Sequence, residues 1–150
     1  MLPLTATQTI TTTASPDEVW RAFEQVKRWP KTMRSLREVS VEPAGPLREG
    51  SLIRAVNESG AKRNERVAEA EPPRRLVLVI DEADFYSRTE YEISAGEDGT
   101  DITVRGTLAA RGLGQWVRFL LWRERMTPML QQTLRERAQA IADLAERMKR

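Results

Sequence analysis

Apolar and polar positions change rhythm three times along the chain, and each rhythm predicts an element. In "MLPLTATQTI", Leu2, Leu4, Ala6 and Ile10 share one alternating phase, which predicts a first strand. Between residues 13 and 30 the spacing becomes helical, with Val19, Phe23 and Val26 on one face and Trp20 at its edge. Ser15, Pro16 and Glu18 form a capping box with a proline in the first turn, and Asp17 adds a second acid suited to the helix dipole. Pro30 disfavours helical backbone at Trp29, so this helix ends by there. From 37 to 110 short alternating runs are divided by turn residues. The remainder is helical almost throughout, with Leu130, Leu134, Ala138, Ile141, Ala145 and Met148 forming an apolar stripe. Pro128 predicts a kink there, or a split into two helices.

The strand region allows a test of register. A two-residue turn at Ser59-Gly60 sets Arg54 opposite Glu65 and Leu52 opposite Val67. A turn at Pro72-Pro73 sets Val67 opposite Leu78, and Glu65 opposite Ile80. One at Glu82-Ala83 sets Ile80 opposite Phe85 and Leu78 opposite Ser87. A longer turn around "AGEDGT" pairs Tyr91 with Val104 and Ile93 with Ile102. All four hairpins then share one inner face, which holds Leu52, Arg54, Val56, Val67, Leu76, Leu78, Ile80, Phe85, Ser87, Thr89, Tyr91, Ile93, Ile102, Val104, Gly106 and Leu108. The other face carries Arg88, Glu90, Glu92 and Arg105, with an exposed ion pair expected between Glu90 and Arg105. A one-residue slip would exchange the faces, so the agreement predicts a continuous antiparallel meander.

Composition narrows the chemistry. The 150 residues fit one domain, 1–150, with room for a core. With no Cys and no His, disulfides, thiol nucleophiles, the usual metal ligands and the commonest general base near neutral pH are all missing. No metal site and no cofactor are expected. The N-terminal stretch lacks the pattern of a secretory signal, and "LVLVI" and "FLLW" are far too short to span a bilayer, so the chain reads as cytoplasmic. Charge is uneven: residues 111–150 hold nine Lys/Arg against four Asp/Glu, although the whole chain is only +2. That bias suits either a solvated helix face or an anionic partner.

Strand, short helix, strand meander and long helix, in that order, resemble the SRPBCC superfamily, the START-related helix-grip fold. Within it, the chain is most similar to the polyketide cyclase/dehydrase and lipid-transport group. The resemblance is carried by "ASPDEVWRAFEQVKRWP", "EGSLIRA", "ERVAEAEPPRRLVLVI" and "DGTDITVRGTL" together with the last helix, and it covers almost the whole chain. It implies an α+β fold in which a seven-stranded antiparallel sheet wraps around the long C-terminal helix, with short helices after the first strand. It also implies a cavity between sheet and helix, sealed at one end by the first helix and the Trp-Pro segment.

Combined with the register, that cavity gives the candidate ligand contacts Trp29, Met33, Arg54, Glu65, Leu78, Phe85, Ser87, Thr89, Tyr91, Val104 and Gly106. Trp116, Leu120, Met126, Leu130 and Leu134 join them from the last helix. An apolar lining with sparse polar groups is the usual composition of a small-molecule site. Trp20 and Phe23 are expected in the core, whereas Trp29 suits core or ligand. Arg54 either holds a ligand carboxylate or phenolate, with Glu65 behind it, or pairs with Glu65 at the sheet rim. Tyr91 either donates a hydrogen bond to a ligand carbonyl or packs in the core. Gly106, opposite Thr89, marks either a bend in the sheet or space for ligand. Trp116 and Trp122 are six residues apart and cannot share one narrow stripe, so at least one is exposed or at an interface. Their belt, interleaved with Arg118, Arg123 and Arg125, fits a core helix with snorkelling arginines or transient contact with an anionic membrane surface.

Three functions follow. The first is a carrier or sensor of a hydrophobic small molecule such as a lipid, polyketide or isoprenoid quinone. The second is a cyclase, aromatase or dehydratase of polyketide-like substrates, with Tyr91, Glu65 and Arg54 as the remaining acid–base candidates. Arginine does not give up its proton and a glutamate beside it is a poor acid, so no residue is assigned as catalytic. The third is an interaction protein using the basic last helix. No nucleic-acid motif accompanies that helix, and no nucleic acid is expected.

Overall fold

A computed structural model describes residues 3–149, so the expected place of Leu2 in the first strand lies outside the described residues. The elements are β1 (Leu4–Thr12), α1 (Pro16–Glu24), a 3-10 helix η1 (Val26–Lys31), β2 (Leu36–Glu42), β3 (Leu52–Asn57), β4 (Lys62–Glu71), β5 (Arg75–Asp81), β6 (Phe85–Gly96), β7 (Gly99–Ala110) and α2 (Leu113–Lys149). The strands form one seven-stranded antiparallel sheet in the order β1-β7-β6-β5-β4-β3-β2. Helix α2 packs on β1 and β7 and meets α1 and η1 further along.

The capping box forms as expected. Ser15 Oγ accepts from the Glu18 backbone N–H at 3.2 Å, and Glu18 Oε1 accepts from the Ser15 N–H at 2.9 Å. These two bonds satisfy donors that the first turn would otherwise leave open. Helix α1 ends at Glu24, and Trp29 and Pro30 belong to the tighter 3-10 turn that follows. Val19, Trp20, Phe23, Val26 and Trp29 are all buried, Trp20 included.

Loop length decides which register expectations survive. Between β6 and β7, Tyr91 faces Val104, Ile93 faces Ile102 and Thr89 faces Gly106, as expected. Val67 faces Leu78. At the β5–β6 turn the loop is two residues longer than expected, so Ile80 faces Ser87 rather than Phe85, and Leu78 faces Thr89 rather than Ser87. An even shift leaves each side chain on its face. The β3–β4 turn errs by one. The Asn57 N–H donates to Ala61 O, and Gly60 takes a positive φ of 85° in a three-residue loop. Ile53 therefore faces Glu65, and Arg54 faces Asn64. This slip inverts β3. Ile53 and Ala55 turn inward, while Leu52, Arg54 and Val56 move to the other face. The expected Arg54–Glu65 pair is replaced by an exposed pair of Arg54 with Glu42 at 3.2 Å.

The outer face also differs in its pairing. Glu90 stands opposite Arg105 in register, but its carboxylate bonds Arg75 at 3.1 Å and Arg88 at 3.0 Å. Arg75 also reaches Glu69 at 2.9 Å and Glu92 at 3.0 Å, so one guanidinium ties β4, β5 and β6 together. Beneath these long side chains Val77 and Val79 are buried, although they point away from the core.

Helix α2 runs through Pro128 as a single element, with neither the expected split nor an interruption of helical structure. Its stripe of Leu130, Leu134, Ala138, Ile141 and Ala145 is buried. Gly106 lies directly beneath it. A Cβ there would sit 2.9 Å from Leu134 Cδ2 and 3.4 Å from Leu130 Cδ1. The space left by the glycine is thus filled by the helix, and it sets how deeply α2 seats on the sheet. Overpacking such a contact costs about 1–3 kcal/mol. Gly106→Val is expected to lower the urea midpoint accordingly, with Gly106→Ala milder because only the tip of Leu134 must move. An unchanged midpoint in Gly106→Val would contradict this seating.

Candidate functional site

One end of the sheet–helix interior is filled and the other is open. A cavity of about 760 Å³ lies between α1, η1, the segment 32–36, the inner faces of β3 to β6 and residues 133–143 of α2. That volume is within the range of small-molecule sites. Its apolar wall includes Phe23, Trp29, Met33, Ile53, Ala55, Leu78 and Ile141. The Trp29 indole N–H donates to Ala22 O at 3.1 Å, which holds the ring in place as part of that wall. Phe23 packs edge-on against Tyr91 with ring centroids 4.8 Å apart, so the capped helix seals this end by touching the sheet directly.

Tyr91, Glu65 and Arg137 influence one another within the cavity, and Arg34, Glu58, Glu136 and Asp143 also line it. Tyr91 is buried, and desolvation pushes its hydroxyl up to about 12, with Glu65 adding to the shift and Arg137 opposing it. Arg137 comes from α2. Desolvation, the largest influence on it, works against its charge, but Glu65 and Tyr91 together leave its pKa raised. The phenol therefore stays neutral and the guanidinium charged throughout the physiological range. Arg63 joins Glu65 on β4, and the Thr32 hydroxyl is buried with no hydrogen-bond partner among the described residues. No group of acidic side chains among the described residues is arranged to hold a metal ion.

Of the sequence candidates, the structure brings Trp29, Met33, Glu65, Leu78 and Tyr91 together on this cavity. Thr89, Val104, Leu130 and Leu134 are buried in the filled part, closed around Gly106. Phe85 and Ser87 lie further along β6, half-buried, outside the lining. Arg54 faces outward. Met126 is partly buried against the core, whereas Trp116 and Leu120 are exposed. Ile53 and Ala55 were hidden by the one-residue slip of β3.

Arg137 was hidden by its own chemistry, although its spacing shows it. Leu130, Leu134, Arg137, Ile141, Leu144 and Met148 follow one another at steps of four and three, the seam of a packed helix. An arginine in that seam must enter the interior.

A sheet gripping one long helix with a lined cavity between them defines a protein of the START-type helix-grip class. The chain belongs to the family described as polyketide cyclase/dehydrase and lipid transport, whose model matches residues 3–142. Among solved structures it is similar to the Zhui aromatase/cyclase from Streptomyces sp. R1128, with a TM-score of 0.77 at 16% identity over 99% of this chain and 97% of that one. It is similar also to a START superfamily protein from Mycobacterium smegmatis, with a TM-score of 0.71 at 14% identity over 96% and 98%. The di-domain ARO/CYC protein BexL of the BE-7585A biosynthetic pathway matches with a TM-score of 0.69 at 16% identity. The match takes in 97% of this chain but spans only 50% of BexL. At such identities the likeness is one of fold. No curated protein sequence matches the chain.

The burial of Tyr91 has a consequence in alkali. Below about pH 10 the phenol is protonated in both the folded and unfolded chain and contributes no pH dependence. Above that, the unfolded chain releases the proton while the folded one keeps it to about pH 12. Stability should therefore fall by about 2–3 kcal/mol across that window. Tyr91→Phe is expected to remove this part of the slope in unfolding titrations. Equal slopes in the two proteins would show that the phenol is not desolvated.

Proposed function

We propose that the chain binds a hydrophobic small molecule in the 760 Å³ cavity, as a carrier or sensor. The observation that carries this reading is the combination of an aromatic and aliphatic wall with a neutral buried phenol and a charged guanidinium at one place in it. Apolar surface supplies affinity, and a few fixed polar groups supply orientation. The ligand's apolar body lies against Phe23, Trp29, Leu78 and Ile141. Its oxygen function accepts hydrogen bonds from Tyr91 and Arg137, and Thr32 offers a further donor. A lipid, a polyketide or an isoprenoid quinone has this pattern of one long apolar body and few oxygens. The family's lipid-transport description supports the same reading.

A titration with an environment-sensitive apolar fluorophore tests it. Saturable one-to-one binding is expected, competed by fatty acids, quinones or aromatic polyketides. Ala55→Phe, which fills the cavity from β3, is expected to weaken binding at least tenfold while the protein still unfolds cooperatively. No saturable binding by the folded wild-type protein would sink the proposal.

The pairing of Tyr91 with Arg137 supports a second reading, catalysis of a cyclase or dehydratase type. A neutral phenol next to a fixed cation can polarise a ketone oxygen and stabilise the enolate formed as the Glu65 carboxylate, on the same cavity, takes the proton from the neighbouring carbon. The family's cyclase description favours the same chemistry. Turnover of a polyketide-type substrate that disappears in Tyr91→Phe, with fluorophore affinity retained, would select this reading over the carrier.

A further inference from the structure

The first half of α2 carries an apolar surface that the cavity does not use. Leu113, Trp116, Val117, Leu120, Leu121, Trp122 and Met129 are all exposed, Leu113 at 80% and Leu121 at 76%. They account for every exposed large hydrophobic residue among the described residues, and all lie within 113–129. Leu113, Val117, Leu120 and Leu121 are spaced at four, seven and eight residues, so they form one stripe along the helix. The side that faces the protein is a different one, carrying Phe119 and Leu130, both buried. Core packing therefore leaves this stripe unexplained.

Charge indicates what covers it. Arg118 and Arg125 run along one flank of the stripe and Arg123 along the other, and Glu124 is the one acid within 113–129. Glu124 lies in line with the stripe at its end, which limits the apolar contact to the turns before it. Arg125 stacks over the Trp122 ring at 4.9 Å, and Arg123 donates to Pro3 O at 3.3 Å. Both contacts anchor the cations at the edges of the apolar face. Such an arrangement matches a lipid interface, with Leu113, Val117, Leu120 and Leu121 entering the acyl boundary, Trp116 at its edge and arginines reaching the headgroup phosphates. A second copy of the chain suits it less well. Two-fold symmetry would stack arginine flank on arginine flank whether the paired helices ran parallel or antiparallel. No helix among the described residues is long and apolar enough to cross a membrane, so the contact is peripheral.

We propose that residues 113–123 of α2 dock the protein on the surface of an anionic lipid bilayer. The test is co-sedimentation of the full chain with vesicles of phosphatidylcholine alone and of phosphatidylcholine with phosphatidylglycerol. Binding to the anionic vesicles is expected, weakened by added salt and at least tenfold weaker to the neutral ones. The double variant Leu113→Glu/Leu121→Glu alters only exposed positions and should keep the wild-type unfolding midpoint and fluorophore affinity. Its partition coefficient on anionic vesicles should fall at least tenfold. Absence of binding to anionic vesicles, or binding that the double variant retains, would overturn the proposal. So would a concentration-dependent dimer in sedimentation velocity that the double variant abolishes without any vesicle binding, which would assign the stripe to a second copy. Because fluorophore binding is read separately, failure of the docking surface and failure of the cavity are distinguishable.

Discussion

The contact of Leu134 with the bare backbone of Gly106 fixes the depth at which α2 rests on the sheet, and the interior is organised around it. Close-packed cores respond to even one added methyl group, so a helix seated this deeply closes the space beneath it. Val104 and Thr89 are buried there, and Leu130 fills what remains. A further turn along α2, the side chains facing the sheet are Arg137 and Ile141, while the inner face of β3 presents Ala55, a small residue. The cavity occupies that stretch. Whether the sheet–helix gap is filled or open thus varies along a single helix with the size of the residues on each side.

Placing Arg137 inside that gap has electrostatic consequences. A guanidinium withdrawn from water is sustained by nearby negative or polar groups, and here these are Glu65 from β4 and Tyr91 from β6. The same desolvation holds Tyr91 in its protonated form. The one buried phenol and the guanidinium beside it thus meet at the Phe23, Leu78 and Ile141 wall, and the residues that set their charge come from two strands and the helix. On the opposite face of the sheet the charges serve another purpose. Arg75 and Arg88 lie over Val77 and Val79 with their heads bonded to Glu69 and Glu90. The sheet consequently buries apolar residues on both sides, although only one side meets the helix.

Much of the architecture was legible in the apolar pattern. The capping box, the β6–β7 register and the buried stripe of α2 depend on short-range rules: side-chain reach within one turn, alternation across a pleat, and helical spacing. The register errors were informative because of their parity. An extra pair of loop residues before β6 left its inner face unchanged, whereas one extra residue before β4 turned Arg54 outward and brought Ile53 and Ala55 to the cavity. Nothing local to "NESGA" distinguishes a two-residue turn from a three-residue loop strongly enough to fix that count, because Gly60 suits a positive φ in either.

By itself the sequence determined the element order, the inward phase of β4 to β7 and the face of α2 that is buried, because those follow from periodicities that any packing must respect. Only the tertiary structure decided which inward residues surround empty space and which fill it. It also assigned Tyr91, Glu65 and Arg137 to one another across three elements, and it separated the exposed stripe of Leu113, Val117, Leu120 and Leu121 from the core that Phe119 joins. Each of these depends on the depth and direction at which one helix crosses a curved sheet. That geometry is set by the sum of many contacts distant in sequence, and no local pattern encodes it.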